Sequence, residues 1–310
     1  MKKQLLMMGV LLTAAFSFSS CLDSDSSSQT HTFSFGGENC FNIVRDIESG
    51  DQLISLNPYY RFEYDFTQGT VDVEMSNVQL ASGFGGLSFK LPTMKVSFLS
   101  NEGFYSSTET NVTPLNTQSS YVFNTFNLRS IPMLRWYNTD IPVWCLNYTV
   151  NNRYQVTMYP TKNNYFGTTI ATKTNEVGPA ANYSGTETGY VVTLNVKDPS
   201  KPTATLYVQN SKFSENMPAV NFYVKDLPVS FDGRGYSLHF EGSTFDIYST
   251  ANGKKMDDSS ISDLVVEATL TSGANISFKC DLGSSYGSYK ISSSLGYFIR
   301  VDNSLGNATN

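Results

Sequence analysis

The sequence predicts an all-β protein made of two tandem, homologous antiparallel β-barrel or β-sandwich domains with little helix. Three observations carry that expectation. Of 310 residues only 15% are charged, whereas aromatics reach 14% through 19 Tyr and 21 Phe, a balance that favours strands. Apolar residues also recur at every second position in run after run, with turn residues between the runs, as in half-buried antiparallel strands. Finally, the chain repeats itself. Thr70 to Phe98 aligns without a gap onto Thr203 to Phe231. Identical pairs include Asn77 with Asn210, Phe89 with Phe222, and Val96-Ser97-Phe98 with Val229-Ser230-Phe231. The apolar phase agrees throughout, pairing Val73 with Leu206, Met75 with Val208 and Leu91 with Val224.

The elements follow in chain order. Met1-Lys2-Lys3, an apolar run from Leu5 to Phe18 and then Ser19-Ser20-Cys21 read as a signal peptide over residues 1–20. The run is shorter than the roughly 20 residues a permanent membrane span needs. Its end resembles a bacterial lipobox, with Phe18 in place of the usual Leu. That resemblance implies cleavage before Cys21 and acylation of the Cys21 thiol; the other reading is a secreted protein cut nearby. Residues 21–32, polar and without periodicity, form a flexible tether. Asp23 and Asp25 resemble the export signal of surface lipoproteins in Bacteroides-type bacteria, which implies display on the outer face of the outer membrane; the alternative is a periplasm-facing anchor.

The first β-domain is expected over 33–172. Its strand Tyr60, Phe62, Tyr64, Phe66 alternates as Tyr190, Val192, Leu194, Val196 does. Downstream, Trp144, Leu146 and Tyr148 pair with Val266, Ala268 and Leu270, and Tyr154, Val156 and Met158 with Ile276, Phe278 and Cys280. A closing strand begins at Phe166-Gly167-Thr168 in one repeat and at Tyr286-Gly287-Ser288 in the other. Residues 173–189, with Gly178-Pro179-Ala180-Ala181, form a linker or the first strand of the second domain. That second domain spans 190–302, and 303–310 are a disordered tail.

Asn210 to Pro218, the alternating strand after it, Gly235-Tyr236 and Ser277-Phe278-Lys279-Cys280 resemble the calycin-like β-barrel lipoproteins of Bacteroides-type bacteria. The likeness covers most of Tyr190 to Ile291, with a fainter copy in the first half. It implies sheets curled into a barrel or flattened sandwich and brings no catalytic motif.

Apparent motifs dissolve against this background. Gly283-Ser284-Ser285-Tyr286-Gly287 fits G-x-S-x-G, but a nucleophile elbow needs a strand-to-helix turn and a histidine partner. Gly83-Phe84-Gly85-Gly86 precedes a strand, whereas a phosphate cradle needs a helix N-terminus. With 2 His and 4 Cys the chain lacks the usual zinc ligands, and no third ligand joins His239 and Glu241. The acids Asp46-Ile47-Glu48-Ser49-Gly50-Asp51 and Asp257-Asp258 lack calcium-loop spacing. No metal, cofactor or catalytic residue is therefore expected. A net charge of −6 gives no footprint for nucleic acid.

Phase places Cys280 on a core face and Cys145 away from its own core. Cys40 with Cys145 is the one disulfide considered, since the cell envelope permits it. Trp136, Tyr137 and Asp140, in a segment without a clean counterpart, are the ligand contacts nominated. The expected function is that of a non-enzymatic, lipid-anchored envelope protein, attached to the membrane through its N-terminal lipid only. Its ligand is a glycan, a lipid or a surface protein. The alternative is a structural or adhesive surface subunit of the fimbrial kind, and a carboxylate-based hydrolase is the enzyme considered.

Overall fold

A computed structural model of the chain describes residues 30–99, 104–116, 120–130, 144–174, 182–186 and 188–296. Strands dominate them. In order they are β1 (Thr30–Gly36), β2 (Cys40–Asp46), β3 (Gln52–Leu56), β4 (Tyr59–Asp65), β5 (Thr70–Val78), β6 (Leu87–Lys90) and β7 (Met94–Lys95). Then come β8 (Ser97–Leu99), β9 (Phe104–Val112), β10 (Phe123–Ser130), β11 (Trp144–Val150), β12 (Tyr154–Pro160), β13 (Lys162–Lys173), β14 (Asn182–Gly185) and β15 (Gly189–Asn195). Last are β16 (Thr203–Ser211), β17 (Val220–Pro228), β18 (Ser230–Phe231), β19 (Gly235–Ser249), β20 (Lys255–Thr269), β21 (Gly273–Asp281), a one-turn helix α1 (Gly283–Tyr286) and β22 (Ser288–Gly296).

Eight antiparallel strands close into a barrel in the order β13-β15-β16-β17-β19-β20-β21-β22, because β13 pairs with β15 through its first half and with β22 through its second. Closure removes the open edges that a flat sheet would expose. The apolar phase points inward: Val192, Leu206, Val208, Phe222, Val224, Leu238, Val266 and Ile276 are all buried. This is the reverse of a lipid-facing barrel, whose apolar residues point outward. Interior hydroxyls pair with one another, although Ser211 Oγ on β16 is buried without a partner. Tyr190 lies 2.8 Å from Ser293 Oγ and 3.2 Å from Thr169 Oγ1, and Tyr165 and Tyr236 share a 2.7 Å bond. Burial pushes the Tyr190 phenol up to about 12.

The strands before the barrel form two further sheets, β1-β4-β5-β6 with β7 beside β5, and β3-β2-β12-β11-β10-β9-β8. Tyr60, Phe62, Met75, Phe89, Phe126, Tyr148, Val156 and Met158 share the core between them. At the β6 edge the neighbouring loop supplies the missing partner: Leu115 N donates to Lys90 O at 2.7 Å, and Lys90 N to Asn116 Oδ1 at 2.7 Å. The other face of the second sheet rests on the barrel. Phe41 stacks on Tyr159, both meet Phe231 edge-on, and Tyr159 OH donates to Gly235 O at 2.9 Å. Strict alternation therefore fails in β2 and β12. Thr157 and Tyr159 are buried along with Val156 and Met158, because these strands have protein on both faces.

The sequence match reappears in the pairing. Met75 faces Phe89 and Val78 faces Leu87 across an irregularity, just as Val208 faces Phe222 and Ser211 faces Val220. At that bulge the matched residues Asn77 and Asn210 hold left-handed φ of 55° and 51°, a conformation asparagine tolerates better than most side chains. Tyr60 faces Met75 as Tyr190 faces Val208, and Phe98 faces Tyr105 as Phe231 faces Tyr236.

Downstream the register corrects the alignment by one strand. β10 pairs with β9 as β20 pairs with β19, so β11 corresponds to β21 and β12 to β22. A register shift between Phe123 and Thr125 breaks the period of β10 and hides it from a phase reading. The strand through Phe166-Gly167-Thr168 likewise opens the barrel as β13 instead of closing the first repeat. Its counterpart in the first half is divided, β1 pairing with β4 and β2 with β12 around the 3-10 turn Gly37–Asn39. The strand alternation of Phe33 and Phe35 extends back to Thr30, so Thr30–Thr32, expected in the tether, belong to β1. Of the expected linker, Asn182–Gly185 pairs with β13, and Gly178 to Ala181 lie outside the described residues.

Candidate functional site

Of the nominated residues, Cys21, Trp136, Tyr137 and Asp140 lie outside the described residues. The considered Cys40–Cys145 disulfide is corrected: both thiols are free and buried in different cores, Cys40 between the first two sheets and Cys145 in the cluster continuous with the barrel. Cys145 faces away from the first core as phase indicated, and Cys280 faces the barrel interior. Burial pushes all three thiols up. An alkylating reagent at neutral pH is accordingly expected to leave them unmodified until denaturant is added; rapid labelling of any of the three in the native protein, read by mass spectrometry, would contradict this packing.

The G-x-S-x-G segment is a turn, with one correction. A single helical turn does follow β21, but Gly283 and Gly287 adopt φ of 72° and 82° to close it, with Gly287 N donating to Gly283 O at 2.8 Å. The histidines are elsewhere: His31 faces Tyr64 and His239 faces Val265 across their strand pairs. Asp46 is engaged by its own turn and by the neighbouring β11–β12 turn, accepting from Glu48 N at 3.0 Å and from Arg153 Nε and Nη2 at 3.0 and 2.8 Å. Arg153 holds the Asp46 carboxyl below the usual carboxylate range. Among the described residues no group of three or more His, Cys, Asp or Glu could hold a metal ion.

A different set of residues stands out on the outside of the barrel. Across adjacent strands Val191 faces Tyr207, Tyr207 faces Tyr223, Tyr223 faces Tyr248 and Tyr248 faces Lys255. Each tyrosine adjoins buried residues of the inward phase: Leu206 and Val208, Phe222 and Val224, or Ile247. The rings are therefore on the outer face, half-buried. Their centroids are 5.3 and 5.4 Å apart, with planes 32° and 25° from parallel, so each ring covers part of its neighbour. Lys225 Nζ sits 4.7 Å from the Tyr248 ring centroid. At the β15 end the row abuts Val191, which is buried; Thr205, Gln209, Asn221 and Asp246 beside it are polar, the last paired with Lys255 at 2.8 Å. The three phenol hydroxyls make no hydrogen bond within the described chain.

The first half shows what these positions hold otherwise. In matching register Arg61 faces Glu74 and Glu74 faces Lys90, with Glu74 bonded at 3.1 Å to both. That is an ordinary solvated ion row. Phase alone carried the signal for the tyrosine row, since Tyr207, Tyr223 and Tyr248 are aromatics on the polar side of their strands.

A cavity of about 470 Å³ lies where the sheets meet the barrel, lined by Gln52, Leu53, Ile54, Pro199, Pro202 and Phe231, among others. Comparison with protein-family models, with curated proteins and with solved structures found no match to the chain.

Proposed function

We propose that the chain is a non-enzymatic, lipid-anchored binding protein of the cell envelope, held at the outer membrane through Cys21 and displayed on its outer face. Two tandem, homologous barrel units of the calycin-like kind carry it, the first opened into two sheets and the second closed. The duplicated pairing registers, down to the paired bulges at Asn77 and Asn210, support that reading. The observation that carries the binding role is the tyrosine row, an aromatic surface fixed on a closed sheet where the first half keeps ions. Rigid scaffolds that present tyrosine offer contact area at little cost in conformational entropy. The barrel interior, lined by packed side chains, leaves the outer faces and loops as the surfaces for a glycan, lipid or protein ligand.

Anchoring is tested by Cys21→Ala. Acyl chains contribute about 0.8 kcal/mol per buried CH₂, so their loss is expected to move the protein from the membrane fraction to the soluble one. Retention in the membrane would refute the anchor. Asp23→Ala with Asp25→Ala is expected to leave the protein anchored but shielded from protease on intact cells.

A further inference from the structure

We propose that Tyr207, Tyr223, Tyr248 and Lys225 form a binding site for an acidic oligosaccharide lying across β16, β17 and β19. This rests on the reading of the chain as a binding protein and names the ligand class at one of its surfaces.

The residues around the row select the ligand. A lipid tail or the apolar centre of a protein interface would need exposed aliphatic surface continuous with the rings, whereas the aliphatic neighbour Val191 is itself buried and the flanking Thr205, Gln209 and Asn221 are polar. The ligand must instead alternate apolar and hydroxylated surface on the scale of one ring, which is the character of a sugar. Its C–H groups can meet the outward edges of the stacked tyrosine rings while its hydroxyls bond the phenols and the surrounding amides.

Charge narrows the class further. Lys255 is committed to Asp246 at 2.8 Å, whereas Lys225 rests on the Tyr248 ring and forms no ion pair in the described chain. In a protein of net charge −6, an ammonium group placed on an aromatic row without a carboxylate partner is complementary to an anionic substituent. A carboxylate-bearing sugar satisfies the rings, the hydroxyls and Lys225 together. In the first half the cations of the matching row, Arg61 and Lys90, are already paired with the carboxylates of Glu63 and Glu74, which confines the site to the closed barrel.

The test is calorimetric titration of the full chain with oligogalacturonate and with a neutral malto-oligosaccharide of the same length. The acidic probe is expected to bind, more weakly as salt is raised, and the neutral probe to bind weakly or not at all. Tyr223→Ala is expected to weaken binding by about tenfold or more, as loss of an interface aromatic does. Lys225→Gln should weaken it several-fold and flatten the salt dependence. Glu74→Ala, in the matching row of the first half, should bind as the parent does. Should Tyr223→Ala fail to fold, Lys225→Gln and its salt dependence decide alone. Equal binding of both probes, or undiminished binding by the row variants, would overturn the assignment. So would a parent protein that binds neither probe, and that result would leave Cys21 anchoring and surface display to be judged separately by fractionation and protease shaving.

Discussion

Gly235→Ala is expected to destabilise the barrel on the order of 3 kcal/mol or more, at the upper end of what overpacking costs. A Cβ at Gly235 would lie 1.8 Å from the carbonyl oxygen of Ala268, 2.8 Å from its carbonyl carbon and 2.9 Å from Thr269 Cα. All three are backbone atoms of the paired strand, so no side chain can rotate away. Relief requires parting β19 from β20 where Gly235 faces Thr269. The same residue ties the barrel to the neighbouring sheet, since Gly235 O accepts from Tyr159 OH and Gly235 N donates to Asp232 Oδ1 at 2.7 Å. A shift there disturbs the junction as well as the barrel. Gly233→Ala is the control. Its φ of 83° disfavours alanine, but nothing lies within 4 Å of the added carbon, so a cost of about 1 kcal/mol is expected. Denaturant titration of the two variants measures the contrast, and a Gly235→Ala protein as stable as the parent would show that β19 and β20 do not pair as described.

Much of this architecture was legible because period-two alternation is a direct consequence of a sheet with one wet face. The gap-free match from Thr70 to Phe98 held at the level of pairing because bulges, like turns, are fixed by backbone conformation. Asn77 and Asn210 are identical residues at the matched bulges, where both adopt left-handed φ. The reading failed where a strand has protein on both faces or carries its own irregularity. β12 buries Tyr159 on the phase that alternation assigns to solvent, because the barrel lies there. β10 lost its period at the shift beside Phe123, which slid every later match by one strand. The site followed the same logic. Trp136 drew notice for its side chain, whereas Tyr207, Tyr223 and Tyr248 are separated in sequence and become a row only when register brings three strands together.

Phe89 and Phe222 provide the second large test, and the junction makes its outcome asymmetric. Each is buried at the matched position of its hairpin, Phe89 meeting Phe123 edge-on with ring centroids 5.1 Å apart and Phe222 lying inside the closed barrel. Truncation of either to alanine removes a full ring from a packed interior, which costs about 3–5 kcal/mol. Phe89 belongs to the core between the first two sheets, a cluster separate from the barrel's. Its loss should therefore loosen those sheets while the barrel, closed on itself, keeps its protection. Phe222 belongs to the cluster that also contains Phe41, Ile43 and Tyr159 of the adjoining sheet. Weakening the barrel therefore removes the surface on which β2 and β12 rest, and Phe222→Ala should reduce protection on both sides of the junction. Hydrogen exchange resolved by segment reads the difference directly: Phe89→Ala should leave β16, β17 and β20 slow, and Phe222→Ala should accelerate β12 along with them. Equal acceleration across the whole chain in both variants would mean that the two cores unfold as one unit, and would remove the physical basis for treating them as separate cores.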